Sequence, residues 1–481
     1  MLDKVQKKWV YLVAGVFILI NSLLLWQEFF WFPAVIGVLL IALFAFFASD
    51  KLLMLIVFLT PLSVDISNEI LNAGISLPSE ALMIVLSIIF CLRILKDNDY
   101  DIRITKHPVS IAIFIYLAWL FIASLTSEIP LVSFKFLAAK LWFIISFYFF
   151  IILVFKKNKM QIRNFIWLYA ISLIIIIFYT FYYHSTFGFD KSVGHWVMRP
   201  FYNDHTSYGA ALAMYAIAMT GLLFYDGYSR GKKTLLLGLS LILLVGLFFS
   251  YSRAAWLSVV GALGILFIMK FKIKYYWIFS FLILAIGLFF VFENEIFQKL
   301  NKNNQDSSTN FLEHVQSISN ISTDASNLER LNRWDAAFKL FKERPIAGWG
   351  PGTYQFVYAP FQHSKNRTII STNAGDGGNA HSEYIGPLAE TGIVGLLTFL
   401  LIIAFTIYYA NITYFKAKSK NVKLFTIISL MALVSYYIHG FLNNFLDTDK
   451  LSVPFWGFTA IIVSLNLFYS DEEENDSKKL K

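Results

Sequence analysis

Residues 103–163 read RITKHPVSIAIFIYLAWLFIASLTSEIPLVSFKFLAAKLWFIISFYFFIILVFKKNKMQIR. Two long apolar runs, 108–126 and 135–155, flank a turn from Thr126 to Phe134 that holds no Lys or Arg. Arg103 and Lys106 precede the pair, and Lys156, Lys157, Lys159 and Arg163 follow it. Runs of about 17–25 apolar residues have the length of a helix that crosses a bilayer. Helix is the form they must take, because hydrocarbon offers no partner to a free backbone amide or carbonyl. Basic loops stay in the cytoplasm, so this stretch is a helical hairpin with its turn outside.

The same pattern extends in both directions. About fourteen candidate spans of this kind follow one another: 9–26, 29–48, 51–64, 79–96, 108–126, 135–155, 163–183, 206–225, 233–250, 253–270, 275–292, 386–412, 422–441 and 452–469. Every second loop is basic, as at Arg93 to Lys106, Arg230 to Lys233, Lys270 to Lys274 and Lys416 to Lys423. Val64 to Ser79, between two such loops, has no Lys or Arg. Counting the short third span preserves the alternation. Both termini then lie in the cytoplasm, and the expected fold is an all-α polytopic membrane protein with about 12–14 transmembrane helices.

Composition agrees. Hydrophobic residues make up 57% of the 481 and charged residues 15%, against roughly 25% charged in a soluble domain. The net charge of +9 lies in short loops, so topology explains it better than nucleic acid. Cys91 is the single cysteine, which excludes an intramolecular disulfide and disfavours a cysteine zinc site. The first apolar run follows Lys4, Lys7 and Lys8 with no small-residue cleavage site after it, and reads as a retained helix.

The expected organisation is N-terminal spans over 1–292, a large outer loop over 293–385, C-terminal spans over 386–470 and a charged tail over 471–481. The loop opens with a low-complexity stretch, Asn301 to Asn310. An amphipathic helix from Leu328 to Lys342 follows, with capping-box spacing at Ser326 and Glu329. Pro345 and Gly348 end that helix, and Gly348-Trp-Gly-Pro-Gly352 forms a turn. These glycines follow a helix, and no Gly-Lys-Ser/Thr succeeds them, which excludes a nucleotide loop.

Four outer stretches can carry chemistry: Arg199-Pro-Phe-Tyr-Asn-Asp-His205, Ser250-Tyr-Ser-Arg253-Ala-Ala-Trp256, Arg330-Leu-Asn-Arg-Trp334 and Asn379-Ala-His381-Ser-Glu383-Tyr384. Arg253 lies outside against the charge bias. It is either a functional charge or an interfacial arginine reaching the headgroups. Arg330 and Trp334 share a helix face, which fits an ordinary amphipathic helix as well as a site. His381 suits proton abstraction from a hydroxyl, or it is a loop histidine without a task. No His-x-x-x-His pair or dense carboxylate cluster supports a metal. Together, arginines suited to bidentate contact with a diphosphate and a histidine suited to deprotonating an alcohol match the needs of a lipid-diphosphate glycan donor. A transporter would spread its charges along several helices near mid-membrane.

These residues resemble the O-antigen ligase/polymerase superfamily of bacterial envelope proteins. The resemblance rests on Phe201-Tyr-Asn-Asp-His-Thr-Ser-Tyr-Gly209, Ser252-Arg-Ala-Ala-Trp256 and Arg330-x-x-x-Trp334 with Pro345 and Gly348-x-Gly-x-Gly352. It continues through His381-Ser-Glu-Tyr into Leu388-Ala-Glu-Thr-Gly-Ile-Val-Gly395. It implies a C-type membrane glycosyltransferase fold in the inner membrane, with the active site facing the periplasm. The donor would be a glycan on undecaprenyl diphosphate, and the enzyme would need no metal, nucleotide sugar or other cofactor. The acceptor would be a lipid A-core sugar in a ligase, another lipid-linked unit in a polymerase, or a protein hydroxyl in an oligosaccharyltransferase. Catalytic roles map onto His381, Arg330 and Arg253, and substrate-binding roles onto Arg199, His205, Trp334, Glu383 and Tyr384. The family histidine is often followed by Asn; here Ser382 follows.

Overall fold

The computed structural model describes residues 48–68, 73–97, 100–271, 325–362 and 378–471, with scattered positions from 15 to 47. The expected span 275–292, the Asn301 to Asn310 stretch, part of the span 9–26, most of the span 29–48 and nearly all of the tail lie outside these residues.

The described helices are α1 Ser49–Leu62, α2 Ser79–Asp97, α3 Pro108–Leu125, α4 Pro130–Lys157, α5 Met160–Thr186, α6 His205–Phe224, α7 Arg230–Phe248, α8 Arg253–Lys270, α9 Ala325–Glu343, α10 Ile385–Lys416, α11 Lys420–Leu442 and α12 Asp449–Tyr469. Among the described residues, eight helices are long and apolar enough to cross a membrane: α3 to α7 and α10 to α12. The chain is a multi-pass, helical membrane protein. A small antiparallel hairpin, β1 Val64–Asn68 with β2 Ala73–Leu77, joins α1 to α2 where only a loop is expected from the sequence. α4 contains a π-helical turn over Ile145–Phe150.

Local sequence explains the helix starts. Pro108 occupies the first turn of α3, where its missing N–H costs nothing, and the His107 ring accepts from Val109 N at 3.3 Å. The Asp204 carboxylate caps α6 by accepting from Thr206 N at 2.6 Å and Ser207 N at 2.9 Å. Ser252 caps α8.

α12 is buried on every side from Asp449 to Ser464, as a helix at the centre of a bundle must be. Phe455, Trp456 and Phe458 fill the space between it and Tyr148, Phe165 and Tyr436.

The basic loops gather at one end of this bundle. Arg103 pairs with Asp101 at 2.7 Å, Lys156 with Asp101 at 2.8 Å, and Lys157 with Asp50 at 3.1 Å. Arg103 first, and then Lys156, hold the Asp101 carboxyl well below its usual range. At the opposite end the Lys450 ammonium donates to the carbonyls of Thr60 at 2.5 Å and Ser63 at 2.7 Å. So α1, with only 14 residues and a rise of about 21 Å, still reaches from one end to the other. α2 does the same, from Ser79 bonded to Asp449 to Arg93 bonded to Ser49.

The segment between α8 and α10 has a core of its own among the described residues. Ala337, Leu340, Tyr354, Tyr358, Ala380, Ile385 and Ala389 form it, with Trp334 and Trp349 against them. This core continues past residue 385 into the first turn of α10. α9 begins at Ala325, and Glu329 pairs with Arg333 at 2.8 Å; the Ser326 side chain of the expected capping box lies outside the described residues.

Candidate active site

Four segments meet at the end of the bundle remote from Lys156. The first is the loop 187–204. Its Asp190 carboxylate folds back to accept from Ser192 N at 2.8 Å and Val193 N at 3.3 Å. Hydrogen bonds from Ser192 and Val193 hold that carboxyl below its usual range. The second is the turn before α8. Gly209 allows it to sit on α6: a Cβ there would lie 2.8 Å from the Ser252 Cβ. The start of α6, with His205, therefore stands beside the start of α8, with Arg253. The third segment is α9 and the fourth is 378–384.

α9 and the fourth segment are stapled together. Trp334 Nε1 donates to Ala380 O at 3.0 Å, and Arg333 Nη1 donates to Asn379 O at 2.9 Å. Arg330 Nε reaches across to Leu442 O, at the end of α11, at 3.2 Å. His381 follows with its amide on Asn379 Oδ1 at 3.1 Å and φ at 48°. A non-glycine residue in that region signals a surrounding structure that over-determines it.

The glycine-rich turn supports this arrangement from below. Trp349 N and Gly350 N donate to Ala389 O at 3.1 Å and Glu390 O at 2.7 Å, and Ile393 N donates to Pro345 O at 2.9 Å. α10 is interrupted at Gly392, with φ at 66°. A Cβ there would fall 2.0 Å from Ile346 O, so only glycine permits the approach. The two sequence blocks Gly348 to Gly352 and Leu388 to Gly395 are thus halves of one clasp.

The resulting site is electropositive. Arg330 feels Arg253 and Arg333; burial first and then Arg253 lower its pKa to about 10. Lys191 and His195 face Arg253, and both are shifted down, first by burial and then by these neighbours. His381 is pushed down to about 3, chiefly by burial, then by Arg333 and Arg330. Its imidazole is therefore neutral at physiological pH. The acids that face the group are Asp204, committed to the α6 cap, and Glu329, committed to Arg333. His205 stacks on His195 at 4.3 Å and lies in the field of Arg253 and Arg330. His439, buried on α11, faces Arg330, Asp204 and His205. Such a constellation suits an anion with several oxygens beside a neutral proton acceptor. Among the described residues, no three His, Cys, Asp or Glu side chains group so as to hold a metal ion.

Of the residues singled out in the sequence, the structure brings together His205, Arg253, Arg330, Trp334 and His381. Arg199 stands apart: it is exposed, and its Nε donates to Asn203 O in its own loop at 3.0 Å. Glu383 and Tyr384 turn into the bundle. The Tyr384 hydroxyl donates to Tyr437 O at 2.8 Å, and the Glu383 carboxylate is buried among donors from Tyr436, Phe445 and Leu446. Arg199, Glu383 and Tyr384, expected from the sequence to bind substrate, thus make these contacts within the protein. Sequence reasoning misses Arg333, Lys191 and His195. Lys191 carries the signal that singles out Arg253, a cation in a loop expected from the sequence to lie outside. Arg333 carries a weaker one, its i,i+4 spacing from Glu329.

Residues 238–400 match the family model described as O-antigen ligase. The matched stretch contains Arg253, Arg330, Arg333, Trp334 and His381, together with both halves of the glycine clasp; Lys191, Arg199 and His205 lie before it. No curated protein matches the chain. Over residues 238–400 the chain is similar to the O-antigen ligase family, which supports the O-antigen ligase superfamily.

Proposed function

We propose that the protein transfers a glycan from undecaprenyl diphosphate to an acceptor hydroxyl, with a lipid A-core sugar as the acceptor, at the periplasmic face of the bacterial inner membrane. The observation that carries this reading is the convergence of Arg253, Arg330 and Arg333 with a neutral His381 at one membrane end. Both termini lie in the cytoplasm in this proposal, supported by the alternation of basic loops.

The arginines bind the diphosphate and stabilise the charge that builds on it as it leaves. His381 takes the proton of the acceptor hydroxyl while that oxygen forms its bond to the anomeric carbon. The bond from that carbon to the diphosphate oxygen breaks with its electron pair, and the anomeric configuration inverts. The low proton affinity of His381 comes first from burial and then from Arg333 and Arg330. The negative diphosphate offsets the arginine part of that depression, so donor binding makes the base stronger while burial still holds it down.

Deleting the gene and resolving surface glycan on gels tests the assignment. Loss of lipid A-linked polymer with accumulation of lipid-linked polymer supports the ligase. A core bearing a single repeat indicates a polymerase joining lipid-linked units, and unchanged glycan rejects both. A His381→Ala copy should insert normally and fail to restore transfer.

A further inference from the structure

Glu383 lies two residues after His381, yet its carboxylate points away from the site. It is 8% exposed. One oxygen, Oε1, accepts from the Tyr436 hydroxyl at 2.6 Å, Phe445 N at 2.6 Å and Leu446 N at 2.8 Å. Its own amide donates to Gly440 O at 2.7 Å. A Cβ at Gly440 would lie 3.0 Å from the Glu383 Cγ, so the fit against α11 is close. Lys140 donates to Leu446 O on the same turn, and Asp447 and Glu390 share its field with Glu383.

That turn follows the helix end on which Arg330 rests, through Leu442 O. Glu383 therefore joins two separate parts of the site. On one side is His381, held in a strained backbone with Ser382 between, whose Oγ accepts from Tyr384 N and Ile385 N at 3.3 Å each. On the other is the end of α11, which receives Arg330. We infer that Glu383 is a positioning residue that fixes His381 relative to Arg330, and that it does not bind substrate. The inference rests on the function proposed above. Burial raises the proton affinity of this carboxyl, and a protonated Glu differs little in shape from Gln. What matters in this account is the length of the arm and its accepting oxygen.

The full-length protein in membranes, supplied with lipid-linked glycan extracted from the deletion strain and core acceptor, provides the test. Glu383→Gln keeps the oxygen and the reach, and kcat should fall by about threefold or less. Glu383→Asp keeps the charge but withdraws the oxygen by one methylene. It should lower kcat by about 100-fold, the scale of a 1 Å misplacement, with KM for the donor within about twofold. Should Glu383→Asp fail to fold, Tyr436→Phe, which removes one of three donors, should lower kcat without moving KM. An Asp variant more active than Gln overturns the inference, as does a rise in donor KM at constant kcat in any of these variants. Transfer by His381→Ala would instead overturn the proposed function, independently of Glu383.

Discussion

The Trp334 indole donates its N–H to the Ala380 carbonyl across 3.0 Å, joining the loop helix to the residue before His381. The same ring meets Phe441 edge-on at 5.5 Å, so Trp334 touches the His381 segment and the end of α11 at once. Trp334→Phe removes the N–H donor and trims the indole to a single ring while keeping an aromatic face. It should leave insertion unchanged and cost about 1 kcal/mol locally, read as a several-fold drop in kcat. Trp334→Ala also removes the ring contact, and the drop should grow to about 100-fold.

A second prediction concerns Gly392. Its positive φ, and the 2.0 Å that would separate a Cβ at this position from Ile346 O, leave no room for alanine. Gly392→Ala must push the 345–350 turn away from α10. The loss should reach about 3 kcal/mol or more, since strain and broken turn bonds add. Melting in detergent should fall, and protease should cut near 345–350 before the bundle opens. A variant as stable and as resistant as the parent would contradict the clasp.

Much of this architecture is legible in the sequence, and the reason is physical. A bilayer demands long apolar runs and biased loops, so the hairpin 103–163 and even the short α1 follow from spacing and charge. The break at Gly392 is not legible, because hydropathy runs through it unchanged; only the approach of Ile346, far back in the chain, reveals why glycine stands there. Glu383 illustrates the same limit. A carboxylate beside a candidate histidine looks alike whether it faces substrate or scaffold. Its donors, Tyr436, Phe445 and Leu446, lie 53 to 63 residues further along. Arg330 and Trp334 are readable because helical spacing puts them on one face.

The arginines yield a third prediction. Arg330 places its Nε on Leu442 O, beside Arg253 and Arg333, where the proposed diphosphate would sit. Lysine keeps the charge but not the fork. Arg330→Lys should lower kcat/KM for the lipid donor by about 10- to 100-fold, or roughly 1.4–2.7 kcal/mol. Arg199→Lys, in the exposed loop bonded to itself, should change it by less than about threefold. Equal losses at both positions would place Arg199 in the diphosphate site after all.

The last prediction uses the sign of the His381 shift. Burial first, then Arg333 and Arg330, push its imidazole down to about 3 from about 6.5. The folded protein thus refuses a proton that the unfolded chain accepts, and between these values stability must fall as pH falls. His381→Asn should lessen that decline. Catalysis should report the same group differently in its two parameters. The profile of kcat/KM reflects the free enzyme, so its acid limb should carry no step from His381 near 6.5. The profile of kcat reflects the bound state, where the diphosphate of the proposed donor would set negative charge against Arg330 and Arg333 and raise the histidine above its value in the free enzyme. The acid limb of kcat should therefore lie at higher pH than that of kcat/KM. Arg333→Gln should bring the two limbs closer, because one cause of the depression is gone. If both limbs coincide in the parent protein, the arginine field does not act on the base, and His381 takes its proton by some route other than the one the geometry supports.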